Sequence, residues 1–344
     1  MKVLLITDQH FGVRNDSLTY VEYYKKFYNN VVVPFIKKFN IKNVVCLGDT
    51  FDRRKSINFN SLEAAKEMWF QPLANMGVKM TMLVGNHDIY YKNTLRVNAP
   101  SLLLGEYANI QIIDSPTEFD LDGLSVLGIP WICDETRSRT YELLEKSVSP
   151  ICMGHLEFNG FEAHPGHVME HGIDMNPFSR FDKVLSGHYH SKSNKGNVYY
   201  LGNPYELYWN DYQSRRGFHV LDTETLELQF YRNPYTMFEK IYYRDATEWI
   251  DVSGYAGKYV KIIVEDKQDH LKFDKLVRML YDVGVADLKI IEDLSVEFET
   301  EDSDVETEDT LTLLEKYIDE VECNANKDSI KNTIKTLYLE ACEV

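Results

Sequence analysis

Short apolar runs alternate along the first third of this chain with stretches whose apolar side chains recur every three or four positions. That is the pattern of buried strands separated by amphipathic helices. Residues 2–7 read as a first strand, 43–47 as a second and 80–84 as a third. Between them, residues 18–39 read as a helix with Tyr24, Phe27, Tyr28 and Val31 on one face, and residues 60–76 as another. Pro34 is expected to kink the first helix or end it early. Each strand runs into a polar turn: Asp8-Gln9-His10-Phe11-Gly12, then Gly48-Asp49-Thr50-Phe51-Asp52, then Gly85-Asn86-His87-Asp88. In open α/β sheets functional groups gather at the carboxyl ends of strands. Asp8, His10, Asp49, Asn86 and His87 are therefore expected to meet.

Further along, residues 95–107 predict a helix, and residues 117–130 a hairpin turning at Asp122-Gly123. A helix over 137–146 leads to a strand at 150–153 that ends in Gly154-His155. After a loop rich in Gly, Pro and His, residues 183–185 lead into Ser186-Gly187-His188-Tyr189-His190. Strands are expected at 198–201, 218–222 and 226–231. The change from helix-separated to consecutive strands predicts an α/β fold with two sheets in four layers, occupying residues 1–234. Residues 260–264, 271–281 and 288–291 read as strand, helix and strand, a small α+β cap within 235–295. Residues 296–309 read as an acidic linker. In the tail, 310–344, Leu314, Tyr317, Ile318 and Val321 fall at helical spacing, as do Ile330, Ile334, Leu337 and Tyr338. Little chain remains to cover those faces. We read them as a docking element for a partner protein in preference to a hairpin folded back on the cap.

The chain has 344 residues, 44% of them apolar, enough for a substantial core and a smaller second domain. It has no apolar run of about 18 residues, so no membrane span is expected, and its apolar start leads into Asp8 and His10 without the marks of a signal peptide. The five cysteines include no Cys-x-x-Cys and read as reduced thiols of a cytoplasmic protein. The formal net charge of −17 argues against broad adhesion to nucleic acid. Much of the acid is concentrated between residues 292 and 309, and bound cations would offset part of the rest.

The polar groups at the strand ends are Asp8, His10, Asp49, Asn86, His155, His188 and His190. Carboxylate, imidazole and amide oxygen without thiolate suit Mn, Fe or Zn and not a structural zinc site. Seven ligands exceed what one such ion needs at an open site; they match two ions sharing a carboxylate, an arrangement suited to phosphoryl displacement. His87, next to Asn86, is positioned to donate a proton to a leaving oxygen or to stabilise its charge, with Asp88 expected to orient its imidazole. Asp52 is expected to cap the following helix or to support Asp49. His164, His167 and His171 sit at neither helical nor strand spacing and are given no metal role.

Asp8-x-His10, Gly48-Asp49-x-x-Asp52, Gly85-Asn86-His87-Asp88, Gly154-His155 and Gly187-His188-x-His190 together resemble the five motifs of the calcineurin-like metallophosphoesterases. The turns at residues 8–12 and 48–52, and Tyr200-Leu201-Gly202-Asn203-Pro204, are similar to segments of SbcD-type DNA repair nucleases. In size the chain looks most like the nuclease subunit of the tailed-phage recombination endonuclease. Thr50 and Phe11 stand where leucine is usual. The resemblance implies one ion held by Asp8, His10, Asp49 and His190, a second held by Asp49, Asn86, His155 and His188, and His87 as a catalytic non-ligand. It implies Mn2+, with Mg2+ the second choice. It also implies 3′-to-5′ exonuclease action on duplex DNA, endonuclease action on single strands, a homodimer, and an SbcC-type coiled-coil ATPase bound through the C-terminal helices. By analogy the helices near 60–76 and 95–107 are candidates for the dimer surface. Arg14, Arg53, Arg54, Lys55, Lys92 and Arg96 lie near the motif turns and are candidate DNA contacts. Phosphatase or nucleotide phosphodiesterase activity is the alternative, and a non-catalytic DNA-end-binding scaffold the third reading.

Overall fold

The structure, a computed structural model, describes residues 1–164, 167–169, 171–244 and 250–292. One six-stranded sheet runs in the order Leu228–Arg232, Gly217–Asp222, Lys2–Ile6, Asn43–Cys46, Lys79–Leu83, Ile110–Ile113. Its last four strands are mutually parallel, and Gly217–Asp222 joins Lys2–Ile6 antiparallel. The second sheet runs Ser193–Lys195, Val198–Tyr200, Lys183–Gly187, Ile151–His155, Leu124–Ile129, Thr117–Leu121. Strand alternation divides the apolar side chains between layers. Val3 and Leu5 face inward against Ile151, Met153 and Leu185 of the other sheet. Leu4 and Ile6 face outward, against Tyr24, Phe27, Tyr28, Met68 and Trp69 of the flanking helices. Leu127, Cys152 and Val184 cover the far side of the second sheet with Leu144 and Phe178. The result is the expected four-layer α/β sandwich.

The helix expected at 18–39 does not break at Pro34. It runs as Leu18–Phe27, a π-helical turn over Tyr28–Val32, and Val33–Phe39. The second helix repeats the device: Phe59–Ala65, a π turn at Lys66–Phe70, then Gln71–Asn75 with Pro72 in its first turn. A proline removes one helical donor and crowds the preceding carbonyl, and a wider turn just upstream makes room for its ring. The helix expected at 95–107 shrinks to Ala99–Leu103, because Asn98 caps it, accepting from the Ser101 amide at 2.9 Å. Ile89 and Asn98 instead form an extended bridge. The hairpin turns where expected, with Asp122 and Gly123 both left-handed (φ 54° and 86°).

Phe238–Tyr243, Tyr259–Val264 and Asp287–Ile291 form a separate parallel sheet. The helix His270–Val283 packs on it through Phe273, Leu276 and Leu280. The first of these strands has no polar alternation and was not foreseen. Buried Glu206 joins this unit to the sandwich, accepting from the amides of Met237 (2.6 Å) and Phe238 (3.0 Å). The linker at 296–309 and the helical tail at 310–344 lie outside the described residues. Among the described residues no helix is long and apolar enough to cross a membrane.

Candidate metal centre

The first two motif turns are zipped together by their backbones. The amides of Asp8, His10 and Phe11 donate to the carbonyls of Gly48, Asp49 and Thr50 at 3.0, 3.1 and 2.9 Å. The chain follows this path only with Asp8, His10 and Asp49 left-handed, at φ 51°, 45° and 49°; His188 stands at 91°. Each such conformation costs a non-glycine residue on the order of 1–3 kcal/mol, and such strain concentrates at functional sites. The motif glycines answer to crowding. A Cβ at Gly48 would lie 2.8 Å from His155 Cγ, one at Gly85 would collide with Asp49, and one at Gly187 with Thr7.

All seven expected ligands converge. Asn86 Oδ1 lies 2.9 Å from His155 Nε2 and 3.0 Å from His188 Nδ1, and His155 Nε2 is 3.1 Å from Asp49 Oδ2. Across the site, His10 Nε2 and His190 Nε2 are 3.1 Å apart. The groups Asp8, His10, His190 and Asp49, His155, His188 each bring their ligand atoms within 4.8 Å of one another. His188 also donates its backbone amide to Asp8 Oδ1 at 3.1 Å, tying the two groups together.

These atoms fit cations better than they fit each other. His155 Nδ1 donates to the Leu47 carbonyl at 2.8 Å. In neutral His155 the Nε2 lone pair therefore faces two oxygen acceptors. Burial opposes charge on this ring, yet Asp49 beside it pushes the His155 pKa up to about 9. Burial likewise opposes charge on Asp49, but His155 and its neighbours hold it well below the ordinary carboxylate value. The pocket thus attracts positive charge at the point where lone pairs meet, as a divalent cation requires. His10 Nδ1 is buried and makes no hydrogen bond, although Asp52 Oδ1 approaches to 3.4 Å. Nδ1 is thus turned toward that carboxylate and Nε2 toward His190.

His87 is held differently from the expectation. Its Nδ1 donates to the Asp52 carbonyl at 2.6 Å, and its backbone amide donates to Asp49 Oδ1 at 2.8 Å. The ring stands edge-on to His10, with centroids 4.9 Å apart. Asp88 does not orient it. The fully buried Asp88 carboxylate accepts from the amides of Thr50 (3.0 Å), Phe51 (3.1 Å) and Gly85 (3.0 Å). It clamps two motif turns together, and the imidazole donates to the Asp52 carbonyl instead. Asp52 neither caps the next helix, which Asn58 does, nor supports Asp49. It serves His10 through its carboxylate and His87 through its carbonyl.

Of the candidate DNA contacts, Arg14 donates to the Leu207 carbonyl at 3.4 Å over the ring of Tyr208, and Arg53 binds Asn15 (2.6 Å) and Asp16 (3.6 Å). These two guanidinium groups are engaged by the protein itself. Lys55, Lys92 and Arg96 are exposed and Arg54 is half-buried. His171 is exposed and joins no ligand group among the described residues; the side chains of His164 and His167 lie outside them.

Three neighbours carried no sequence signal. Glu157 Oε1 lies 3.7 Å from His188 Nε2. Trp131 stacks toward His188 with centroids 5.1 Å apart. Buried Arg216 bonds the carbonyl of His190 and the side chain of Asn203, and pairs with Asp211 at 2.5 Å. The ligand histidines they touch lie 31, 57 and 26 positions away in the chain, too far for any local pattern.

The family model described as calcineurin-like phosphoesterase matches residues 1–192. The chain is 32% identical over its whole length, and over the whole of the relative, to exonuclease subunit 1 of Enterobacteria phage T4. It is 26% identical over 148 residues to the DNA double-strand break repair protein Mre11 of Sulfurisphaera tokodaii, covering 42% of this chain and 37% of that one. A solved archaeal phosphodiesterase covers 68% of this chain at 12% identity and a TM-score of 0.36.

Proposed function

The chain belongs to the calcineurin-like phosphoesterases, and from that premise we propose that it is a two-metal DNA nuclease acting in recombination or repair. The observation that carries this reading is the convergence of Asn86 Oδ1 with His155 Nε2 and His188 Nδ1, 2.9 and 3.0 Å away, opposite the His10–His190 pair. Full-length similarity to a phage exonuclease subunit supports DNA as the substrate. Asp8, His10, Asp49 and His190 would hold one cation; Asp49, Asn86, His155 and His188 the other. When bound, two such cations supply Lewis-acid polarisation of a phosphodiester and an activated water. Mn2+ is our choice of ion, with Mg2+ second.

The chain's own residues do the rest. Asp49, grouped with His155 and His188 and fixed by the His87 amide, would be the carboxylate shared by both cations. With Nδ1 bonded to the Asp52 carbonyl, Nε2 is the nitrogen left to His87 for chemistry, and in its charged form the ring would donate from there to a leaving oxygen. Burial lowers the His87 pKa, so the charged form is a stronger acid but a scarcer one near neutral pH. We assign residues 1–234 to the nuclease domain, 235–295 to a cap, and 310–344 to docking an SbcC-type ATPase, with a homodimer as the working form in the host cytoplasm.

The test is release of nucleotides from linear duplex DNA and nicking of single strands by the Mn2+-loaded chain, with and without the co-expressed ATPase. Cleavage that needs the metal and fails in Asp49→Asn supports the reading. Intact DNA beside rapid turnover of phosphoprotein or cyclic nucleotide would replace it with the phosphatase alternative. Removal of residues 310–344 should abolish co-purification of the ATPase and leave metal binding in place.

A further inference from the structure

A cavity of about 240 Å³ opens beside the metal centre, lined by Trp131, Ile132, Arg137, Leu156, Glu157 and Ile173 together with His155 and Gly172. Trp131 is anchored beside the ligand group of Asn86, His155 and His188. Its amide donates to the Val84 carbonyl at 2.8 Å, one residue before Gly85-Asn86, and its half-buried indole lies 5.1 Å from the His188 ring and 6.1 Å from that of His155. One wall is backbone: Gly172 passes so close to the carbonyl of Glu157 that a Cβ there would lie 2.6 Å from it. Glu157, 3.7 Å from His188, gives one end a negative charge. The guanidinium of Arg137, exposed in the first turns of the helix Asp134–Lys146, has no ionic or hydrogen-bonding partner among the described residues, whereas Arg139 is paired with Glu142 at 3.0 Å.

An aromatic wall, an apolar floor of Ile132, Leu156 and Ile173, and one uncommitted guanidinium are what a nucleotide requires. The volume holds one planar base, whose π-face stacks on indole whatever its identity. The carboxylate of Glu157 repels phosphate and accepts from an exocyclic amine; the exposed Arg137 guanidinium meets phosphate. We propose that this cavity is a nucleobase subsite, in which Trp131 stacks on the base next to the scissile phosphodiester and Arg137 binds a neighbouring phosphate. The proposal rests on the nuclease reading above and specifies how that site holds its substrate.

Two measurements test it on the full chain. Cleavage is compared on an oligonucleotide and on one carrying an abasic residue at the cleaved position. Trp131→Ala should lower kcat/KM on the normal strand by about tenfold or more, leave the abasic strand unchanged, and leave Mn2+ binding by calorimetry unaltered; Trp131→Phe should retain most of the activity. Separately, deoxyadenosine monophosphate added in Mg2+ should quench tryptophan fluorescence in the wild type and not in Trp131→Phe, with weaker binding in Arg137→Gln. Equal losses on both strands, or a changed metal isotherm, would show that Trp131 only packs on His188 and overturn the subsite. Absence of quenching in the wild type would overturn it as well. Intact DNA with normal nucleotide quenching would instead count against the nuclease reading while leaving the subsite standing.

Discussion

Replacing Asp88 separates a structural clamp from a catalytic acid. Its two oxygens accept three amides, those of Thr50, Phe51 and Gly85, in a site without solvent contact. Asp88→Ala leaves all three donors buried and unpaired, at about 1–3 kcal/mol each, so that the loss should be about 3–6 kcal/mol after partial relief by water. Against the roughly 5–15 kcal/mol that holds a typical domain, this is a large fraction. Asp88→Asn is the informative companion. Burial and the negative charge of Asp49 push the Asp88 pKa up to about 7, and the carboxamide reproduces the neutral form in charge. It has one accepting oxygen, however, and its amide nitrogen must face either Gly85 or the Thr50–Phe51 pair. With the oxygen on the Thr50–Phe51 pair one donor stays unpaired, so its cost should fall between wild type and Asp88→Ala, at about 1–3 kcal/mol. Urea midpoints at constant slope measure the series. Metal affinity should fall in the same order, because the clamp holds the Asp49 turn against the Asn86 turn. If both variants unfold at the wild-type midpoint while kcat drops by orders of magnitude, the clamp argument is wrong and Asp88 takes part in proton transfer.

Three further outcomes follow from the geometry. His87→Ala should cut DNA cleavage by about 10²- to 10⁴-fold, the range for a lost general acid, while calorimetry still counts two bound metal ions; unchanged cleavage would remove His87 from the mechanism. Gly85→Ala places a methyl group against the Asp49 carboxylate, with Cγ 2.9 Å from the new carbon, and should weaken Mn2+ binding far more than it lowers the melting temperature; an unchanged isotherm would contradict the crowding. Burial, partly countered by the amides of Phe238 and Met237, raises the Glu206 pKa from 4.5 to about 7. A carboxyl with a raised folded-state value takes up a proton on folding, so this group costs stability as pH climbs from about 4.5 through about 7. Glu206→Gln keeps the accepting oxygen and should stabilise the protein at pH 8 by at most about 3 kcal/mol, with no gain near pH 4; a gain independent of pH would refute the assignment.

The chain's own order of residues was enough to place a buried strand before each polar turn, because apolar runs between turn-forming residues have few other outcomes. With strands located, the ends carrying Asp8, His10, Asp49, Asn86, His155, His188 and His190 were located too, and the chemistry of their side chains named a pair of cations. The turn at Asp122-Gly123 was equally readable, since its left-handed pair depends on two adjacent residues. Helix interruptions were not: Pro34 and Pro72 are accommodated by wider turns upstream, which the proline itself does not reveal. Nor were the roles of the acids that hold the ligands in place. Asp88 lies next to His87 in sequence and serves amides 37 and 38 residues away; Asp52 serves a histidine in the turn after the first strand. Which atoms a side chain can offer is a property of its type, and local. Which neighbour receives them depends on how two sheets and their turns close over one another, so that Trp131, Glu157 and Arg216 become part of the site only when the sandwich is assembled.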